Sequence, residues 1–321
     1  MDNYELSICI PARNEEFLSR TVQDLLENTT DKTEIIVVLD GVWANPPITQ
    51  HPRVNVIYVP EPIGQRAAAK LGGRLSKARF FAKTDAHCSF DKDFDLKMFK
   101  AFEKTGEGVV MVPIMKNLHI YDWKCHKCGT KVYQDVKPIC PNCGSAMKKK
   151  MLWKPRRGTH SVSYCFDAEP HFQYFNDYTR RPEFIKDREE TRITETMSLQ
   201  GSFYMMTREN YYGLNVDDET LGSWGNQGIE VALKFWLSGR KCLINHDTWY
   251  AHCFRTKNGI FGFPYHQPGN EVGKTKQRVK DLFWKKQFKH QIYPVSWLVE
   301  RFWPVPNWSD EDLKKFKELD I

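Results

Sequence analysis

The feature that most constrains this chain is a rhythm of short apolar runs separated by segments of helical spacing. Leu6-Ser7-Ile8-Cys9-Ile10-Pro11, Ile35-Ile36-Val37-Val38-Leu39-Asp40, Val54 to Val59 and Arg79-Phe80-Phe81-Ala82-Lys83 read as strands. Between them, Glu15 to Asn28 carries Phe17, Val22, Leu25 and Leu26 at helical intervals, and Gly64 to Ala78 is an Ala-rich helix. Strands alternating with helices build βαβ units and a parallel sheet. In such sheets ligands sit beyond the carboxyl ends of strands, where Asp40 and Asp85 fall. The two acids are therefore expected to face one cleft.

A second block begins at Val109-Val110-Met111-Val112-Pro113, is interrupted from about Cys125 to Cys143, and resumes at Met151. Ser202 to Met206 reads as a strand. Gln227 to Ser238 reads as a helix with Ile229, Ala232, Leu233 and Trp236 on one face, stopped by Gly239. Residues 256 to 274 are rich in Gly, Pro and aromatics, as a loop over a site would be, and a Lys/Trp/Phe-rich tail follows.

No window approaches ~20 uninterrupted apolar residues, and Met1-Asp2-Asn3-Tyr4-Glu5 is polar and acidic, so neither a membrane span nor a signal peptide is expected. Of nine cysteines, Cys9, Cys88, Cys165, Cys242 and Cys253 are scattered through apolar segments. That is the usage of a reduced compartment, so a soluble, cytoplasmic protein is expected. The formal net charge is +7, with Lys148, Lys149, Lys150, Lys154, Arg156 and Arg157 concentrated together. Such a cluster either attracts polyanions or is a solvated face.

The other four cysteines form two knuckles, Cys125-His126-Lys127-Cys128-Gly129 and Cys140-Pro141-Asn142-Cys143-Gly144. Four thiolates from two turns, each followed by Gly, suit a tetrahedral Zn²⁺. A short insertion with little core of its own needs such an ion to fold. Its role is structural alone, or it also helps to hold a macromolecular acceptor.

The stretch Ala82-Lys83-Thr84-Asp85-Ala86-His87-Cys88 offers a second metal site. On extended backbone Asp85 and His87 point to the same side, so both can reach one divalent cation. Around it stand Pro11-Ala12-Arg13-Asn14-Glu15, Asp40-Gly41, Gly64-Gln65-Arg66, Gly201-Ser202-Phe203-Tyr204-Met205, Trp224-Gly225-Asn226-Gln227-Gly228-Ile229-Glu230 and Ala251-His252-Cys253-Phe254-Arg255.

In these motifs and their order the chain resembles a GT-A-fold glycosyltransferase, and more closely the catalytic domain of the polypeptide N-acetylgalactosaminyltransferases. The resemblance implies an α/β fold with a Rossmann-like, mostly parallel central sheet flanked by helices, here with a small four-cysteine zinc-ribbon insertion. It divides the chain into a nucleotide-sugar-binding half (1–118), the ribbon (119–150), an acceptor-binding half (151–290) and a C-terminal tail (291–321). It implies that Asp85, His87 and His252 hold Mn²⁺ or Mg²⁺ bridging the diphosphate of a UDP-sugar. Pro11, Ala12, Arg13, Asn14, Asp40, Gly64, Arg66, Thr84 and Arg255 would line the donor site, and Tyr265 and His266 would lie near the tip of a closing loop.

Where that family carries Trp-Gly-Gly-Glu-Asn, this chain has Gln227 and Gly228, so its usual carboxylate is missing. With Trp224 beside the reaction, the base is Glu230, Asp217, Asp218 or Glu219, with Gln227 bonding a sugar hydroxyl. A retaining reaction needs no strong base, and the family resemblance favours it. The leading acceptor is a hydroxymethylated pyrimidine in phage-type DNA, reached through the basic and aromatic segments. Two alternatives stand beside it: a protein Ser/Thr or bacterial glycan as acceptor, and an inactive scaffold binding nucleic acid through its ribbon.

Overall fold

The structure is a computed structural model, and it describes residues 4–134, 137–255, 262 and 270–320. Strand β1 (Leu6–Ala12) leads through helix α1 (Leu18–Asn28) to β2 (Thr33–Asp40) and β3 (Val54–Val59). Helix α2 (Gln65–Leu75) returns the chain to β4 (Phe80–Thr84), followed by β5 (Cys88–Phe90) and α3 (Phe94–Thr105). The second half carries β6 (Val109–Cys125), β7 (Lys131–Tyr133), β8 (Met147–Ser161), β9 (Tyr164–Phe166) and β10 (Phe172–Tyr174). Then come α4 (Pro182–Glu190), β11 (Ile193–Glu195), β12 (Phe203–Thr207), α5 (Arg208–Gly213), α6 (Gln227–Leu237) and β13 (Lys241–His252). Helices α7 (Glu271–Trp284), α8 (Val295–Arg301) and α9 (Asp310–Leu319) close the described chain.

The main sheet runs β11-β13-β6-β12-β4-β1-β2-β3. β1 lies parallel to β2 and β4, and β3 parallel to β2, as the βαβ pattern dictates. Every residue of β2 is buried, because helices cover both faces there. Beyond β4 the sheet becomes mixed: β12 runs against both β4 and β6, and β13 runs parallel to β6.

Two boundaries differ from the sequence reading. β6 is continuous through 119, pairing with β13 as far as Asn117 and with β8 as far as Cys125. The insertion is therefore an antiparallel leaf growing out of the main sheet, and only its tip is the four-cysteine unit. The described stretch 291–320 is no loose tail either. It buries Val295, Leu298, Val299, Phe302, Val305 and Trp308 in the main core. The proposed loop of 256–274 falls mostly outside the described residues, with Tyr265 and His266; its end, from Glu271, is the first turn of α7.

A second, smaller core joins the leaf to the sheet. Leu118, Ile120, Trp123 and Trp153 from the leaf pack with Phe17, Ala251 and Cys253. Among the described residues no helix is long and apolar enough to cross a membrane.

Candidate metal centre and nucleotide pocket

Asp85 follows β4 at once, and its N–H donates to Ser202 O at 2.9 Å, tying the strand end to the segment before β12. β5 pairs antiparallel with β13, setting His252 opposite Cys88, and Cys253 N–H donates to His87 O at 3.1 Å. This register brings together side chains 167 positions apart: His252 Nε2 lies 3.2 Å from Asp85 Oδ2. His87 Nε2 is 4.0 Å from the same oxygen. One ligand atom from each of Asp85, His87 and His252 lies within 4.8 Å of the others. A carboxylate and two imidazoles at that spacing are a donor set for a divalent cation.

The surroundings keep the donors in their binding forms. Burial alone would raise the pKa of Asp85, but the fully buried Lys83 and the His252 and His87 rings outweigh it and hold the carboxyl far below the usual range. Lys83 Nζ bonds Asp85 Oδ1, which also accepts from Gln65 Nε2 at 3.2 Å, leaving Oδ2 to the histidines. Burial lowers the pKa of His252 to about 4, against the upward pull of Asp85. The ring is thus neutral at pH 7, as ligation requires. Its Nδ1 is buried without a hydrogen-bond partner among the described residues.

Glu15 orders the next layer. Its Oε2 lies 3.2 Å from His87 Nδ1, while Oε1 accepts from Arg255. Burial would raise the pKa of Glu15, but His87 and Arg255 prevail and keep it ionised. A carboxylate on one ring nitrogen fixes the ring so that the other faces the centre.

A cavity of about 260 Å³ opens beside these ligands, lined by Pro11, Ala12, Arg13, Asp40, Gly64 and Trp224 as well as by Asp85, His87, His252 and Arg255. Asp40 is engaged on every side: Arg13 pairs with it, and Ile63 N–H and Gly64 N–H donate to it at 2.6 and 3.1 Å. It shapes the pocket wall and carries Arg13 into it. Gly64 has φ of +93°, and a Cβ there would stand 2.6 Å from Ser223 Cβ, so only glycine lets the two rims meet. Asn14, at φ 52°, turns the chain after the lining segment, and Thr84 is buried within β4; neither lines the cavity.

Four residues expected at the reaction lie elsewhere. Arg66 and Glu230 are both buried and pair with each other at 2.9 Å. Arg66 also donates to Gly222 O and Gly225 O, and Glu230 accepts from Asp218 N–H at 3.0 Å and from Lys234 at 2.8 Å. Burial would raise the pKa of Glu230, but Lys234 and Arg66 hold it ionised, so it is a brace for the 218–225 loop and not a base facing an acceptor. Asp218 caps the turn at Glu219–Leu221 through Thr220 N–H at 3.0 Å. Gln227 is turned inward onto Asp217 and the Tyr204 hydroxyl. Gly228 has a steric reason: a Cβ would sit 1.9 Å from Leu199 O.

Sequence reasoning missed Lys83 and Glu15 as supports. Both were accessible: Lys83 sits two residues before Asp85 at the end of the same apolar run, and Glu15 follows the Pro-Ala-Arg-Asn segment.

At the tip of the leaf, Cys125 Sγ is 3.6 Å from Cys143 Sγ, and Cys128 Sγ is 3.4 and 3.5 Å from those of Cys140 and Cys143. A tetrahedron of sulfurs at ~2.3 Å from a central Zn²⁺ has edges of about 3.8 Å, close to this spacing. The knuckles are alike: Gly129 and Gly144 have φ of 76° and 69°, and donate to Cys125 O and Cys140 O at 3.2 and 2.9 Å.

Comparison with known proteins agrees with this geometry. Residues 7–154 match the family model "Glycosyl transferase family 2". The chain is 21% identical over 336 residues to a putative polypeptide N-acetylgalactosaminyltransferase 13 of Drosophila melanogaster, covering 98% of this chain and 53% of the relative. It is 26% identical over 127 residues to a putative polypeptide N-acetylgalactosaminyltransferase 10 of Caenorhabditis briggsae, covering 39% and 20%. Among solved structures, one of GalNAc-T7 with UDP, GalNAc and Mn²⁺ superposes with a TM-score of 0.65 at 17% identity, over 98% of this chain and 54% of that one. That likeness establishes the GT-A fold. The chain spans about half the length of the fly relative and of the solved chain.

Proposed function

Resembling the polypeptide N-acetylgalactosaminyltransferases in sequence and sharing the GT-A fold, this chain is, we propose, a metal-dependent glycosyltransferase that passes a sugar from a UDP-sugar to a hydroxyl acceptor. The observation that carries the reading is the convergence of Asp85, His87 and His252 at the edge of a cavity walled by Pro11, Ala12, Arg13 and Asp40. Mn²⁺ or Mg²⁺ held by those three side chains would supply Lewis acidity to the departing diphosphate. Arg13, fixed by Asp40, presents a cation to the nucleotide, and Arg255, fixed by Glu15, presents one beside the ligands. Trp224 gives the sugar an apolar wall.

Among the described residues the carboxylates lining the cavity are Glu15, Asp40, Asp85 and Glu271. The first three are consumed by Arg255 and His87, by Arg13, and by Lys83, and Glu271, at the start of α7, pairs with Lys274 at 3.3 Å. This lining favours retention, in which a donor phosphate oxygen accepts the proton of the incoming hydroxyl. The four cysteines hold a structural Zn²⁺, and a cytoplasmic, reducing setting keeps all nine thiols unpaired.

The test is release of UDP from a panel of UDP-sugars with and without Mn²⁺. The reading requires Mn²⁺-stimulated release from at least one donor and a loss of about 100-fold in Asp85→Asn. Release that survives this substitution would overturn it.

A further inference from the structure

The outer face of the β6–β7–β8 leaf carries an arrangement that folding alone disfavours. Lys124 on β6 pairs in register with Lys131 on β7 and with Lys148 on β8, so three lysines stand in one row across three strands. Like charges directly opposite one another destabilise a sheet. The next rows place Lys150 opposite Asp122 and Lys154 opposite His119. Asp122 is already bonded to His119 at 2.7 Å. Lys124, Lys131, Lys148, Lys150, Lys154 and Arg156 are all exposed, and none has a carboxylate partner among the described residues. Lys149, which points to the opposite face, does have partners: Glu16 at 3.3 Å and the Tyr121 ring at 4.4 Å. Among the described residues the charge on the outer face is therefore predominantly positive, with Asp122 its one carboxylate in register and already bonded to His119.

We propose that this face docks a polynucleotide that carries the acceptor hydroxyl. Residues two apart on a strand are separated by about 6.8 Å, comparable with the step between successive phosphates of a nucleic-acid strand. Lys148 and Lys150 thus stand about one such step apart, and Lys154 follows farther along the same strand, so the three offer a track for a backbone and not the point charge that a single phosphate needs. Tyr133, 39% exposed, has the His119 ring tilted against it at 4.7 Å and the Arg156 guanidinium over its face at 4.7 Å. The exposed Arg156 guanidinium, backed by the Tyr133 ring, offers a planar cationic surface for a base beside the track. The track also leads to the chemistry, because β6 pairs Asn117 with His252, so the leaf starts at the third metal ligand. The proposal rests on the transferase reading only for what the docked strand is brought to do.

The test uses the full chain, a fluorescein-labelled single-stranded DNA oligonucleotide and fluorescence anisotropy across a salt series. Binding should weaken steeply with salt. In Lys148→Gln/Lys150→Gln/Lys154→Gln the log–log slope should shrink by about 2, roughly 0.7 for each phosphate no longer neutralised by a lysine. The control Lys77→Gln/Lys100→Gln/Lys314→Gln removes equal charge elsewhere and should leave the slope in place. Absence of binding, an equal change in both variants, or binding that anionic vesicles or an acidic polysaccharide displace as readily as unlabelled DNA would overturn the proposal. UDP affinity in Mn²⁺, measured on the same unsubstituted protein, separates the two readings. Oligonucleotide binding without UDP binding would contradict the transferase and keep the docking face; UDP binding without oligonucleotide binding would do the reverse.

Discussion

Glu15 Oε2 lies 3.2 Å from His87 Nδ1, and the same carboxylate holds Arg255, so one residue of the β1–α1 turn orients both an imidazole of the candidate metal centre and a cation of the pocket. Glu15→Gln keeps the shape and removes the charge. Outer partners of ligating histidines are worth roughly 10- to 100-fold in metal affinity. We expect Mn²⁺ binding, followed by titration calorimetry, to weaken by at least about tenfold while the thermal midpoint stays near that of the unsubstituted chain. Unchanged affinity would remove Glu15 from the site.

The Arg66–Glu230 pair predicts a stability effect. Both side chains are buried and Lys234 shares the carboxylate, so Glu230→Gln strands two cations away from water. Breaking such a pair costs about 3–5 kcal/mol. Urea unfolding of Glu230→Gln should show a loss of that order. A variant of undiminished stability that nonetheless lost sugar transfer would restore Glu230 as the base.

His246 predicts a pH dependence. Its Nε2 meets the Thr194 hydroxyl at 2.9 Å between β13 and β11, and burial, with Arg192 and Arg188 adding to it, lowers its pKa to about 4. The unfolded chain takes up this proton near pH 6.5 and the folded chain only near 4, so stability present above 6.5 is lost as pH falls through that window. Between about pH 7 and 5 the loss attributable to this ring is about 2 kcal/mol. His246→Gln should flatten the stability profile over that range; an unaltered profile would show that the ring titrates normally.

The four cysteines predict a metal-dependent leaf. Elemental analysis should find about one Zn²⁺ per chain in protein purified without chelator. Because Cys125 and Cys140 belong to the same small core as Trp123 and Trp153, Cys128→Ser should alter tryptophan fluorescence as well as abolish zinc binding. Zinc content unchanged by that substitution would contradict the assignment.

Much of this was legible in the sequence, for identifiable reasons. The first four strands and the helices between them follow from apolar runs and helical spacing, and Asp85-Ala86-His87 falls at a strand end because the run before it is buried. The direction of β12 was not legible, since apolar content says nothing about whether a strand runs parallel or antiparallel to its neighbour. Nor was the fate of Glu230. A carboxylate at a helix start looks the same in sequence whether it faces a cleft or an arginine 164 positions away. His252 was found only through a family motif, because strand register, not spacing, brings it to Asp85. The leaf's outer face needed the register as well: Lys124, Lys131 and Lys148, separated in sequence, prove to lie in one row across three strands.

The claim on which most else depends is that Asp85, His87 and His252 hold a cation that in turn holds a nucleotide. Titration calorimetry of UDP into the chain, with and without Mn²⁺ and again with Asp85→Asn, tests it directly. UDP affinity should rise at least about tenfold when Mn²⁺ is added, and this gain should vanish in Asp85→Asn. Equal UDP affinity with and without Mn²⁺, or a gain that persists in Asp85→Asn, would contradict it.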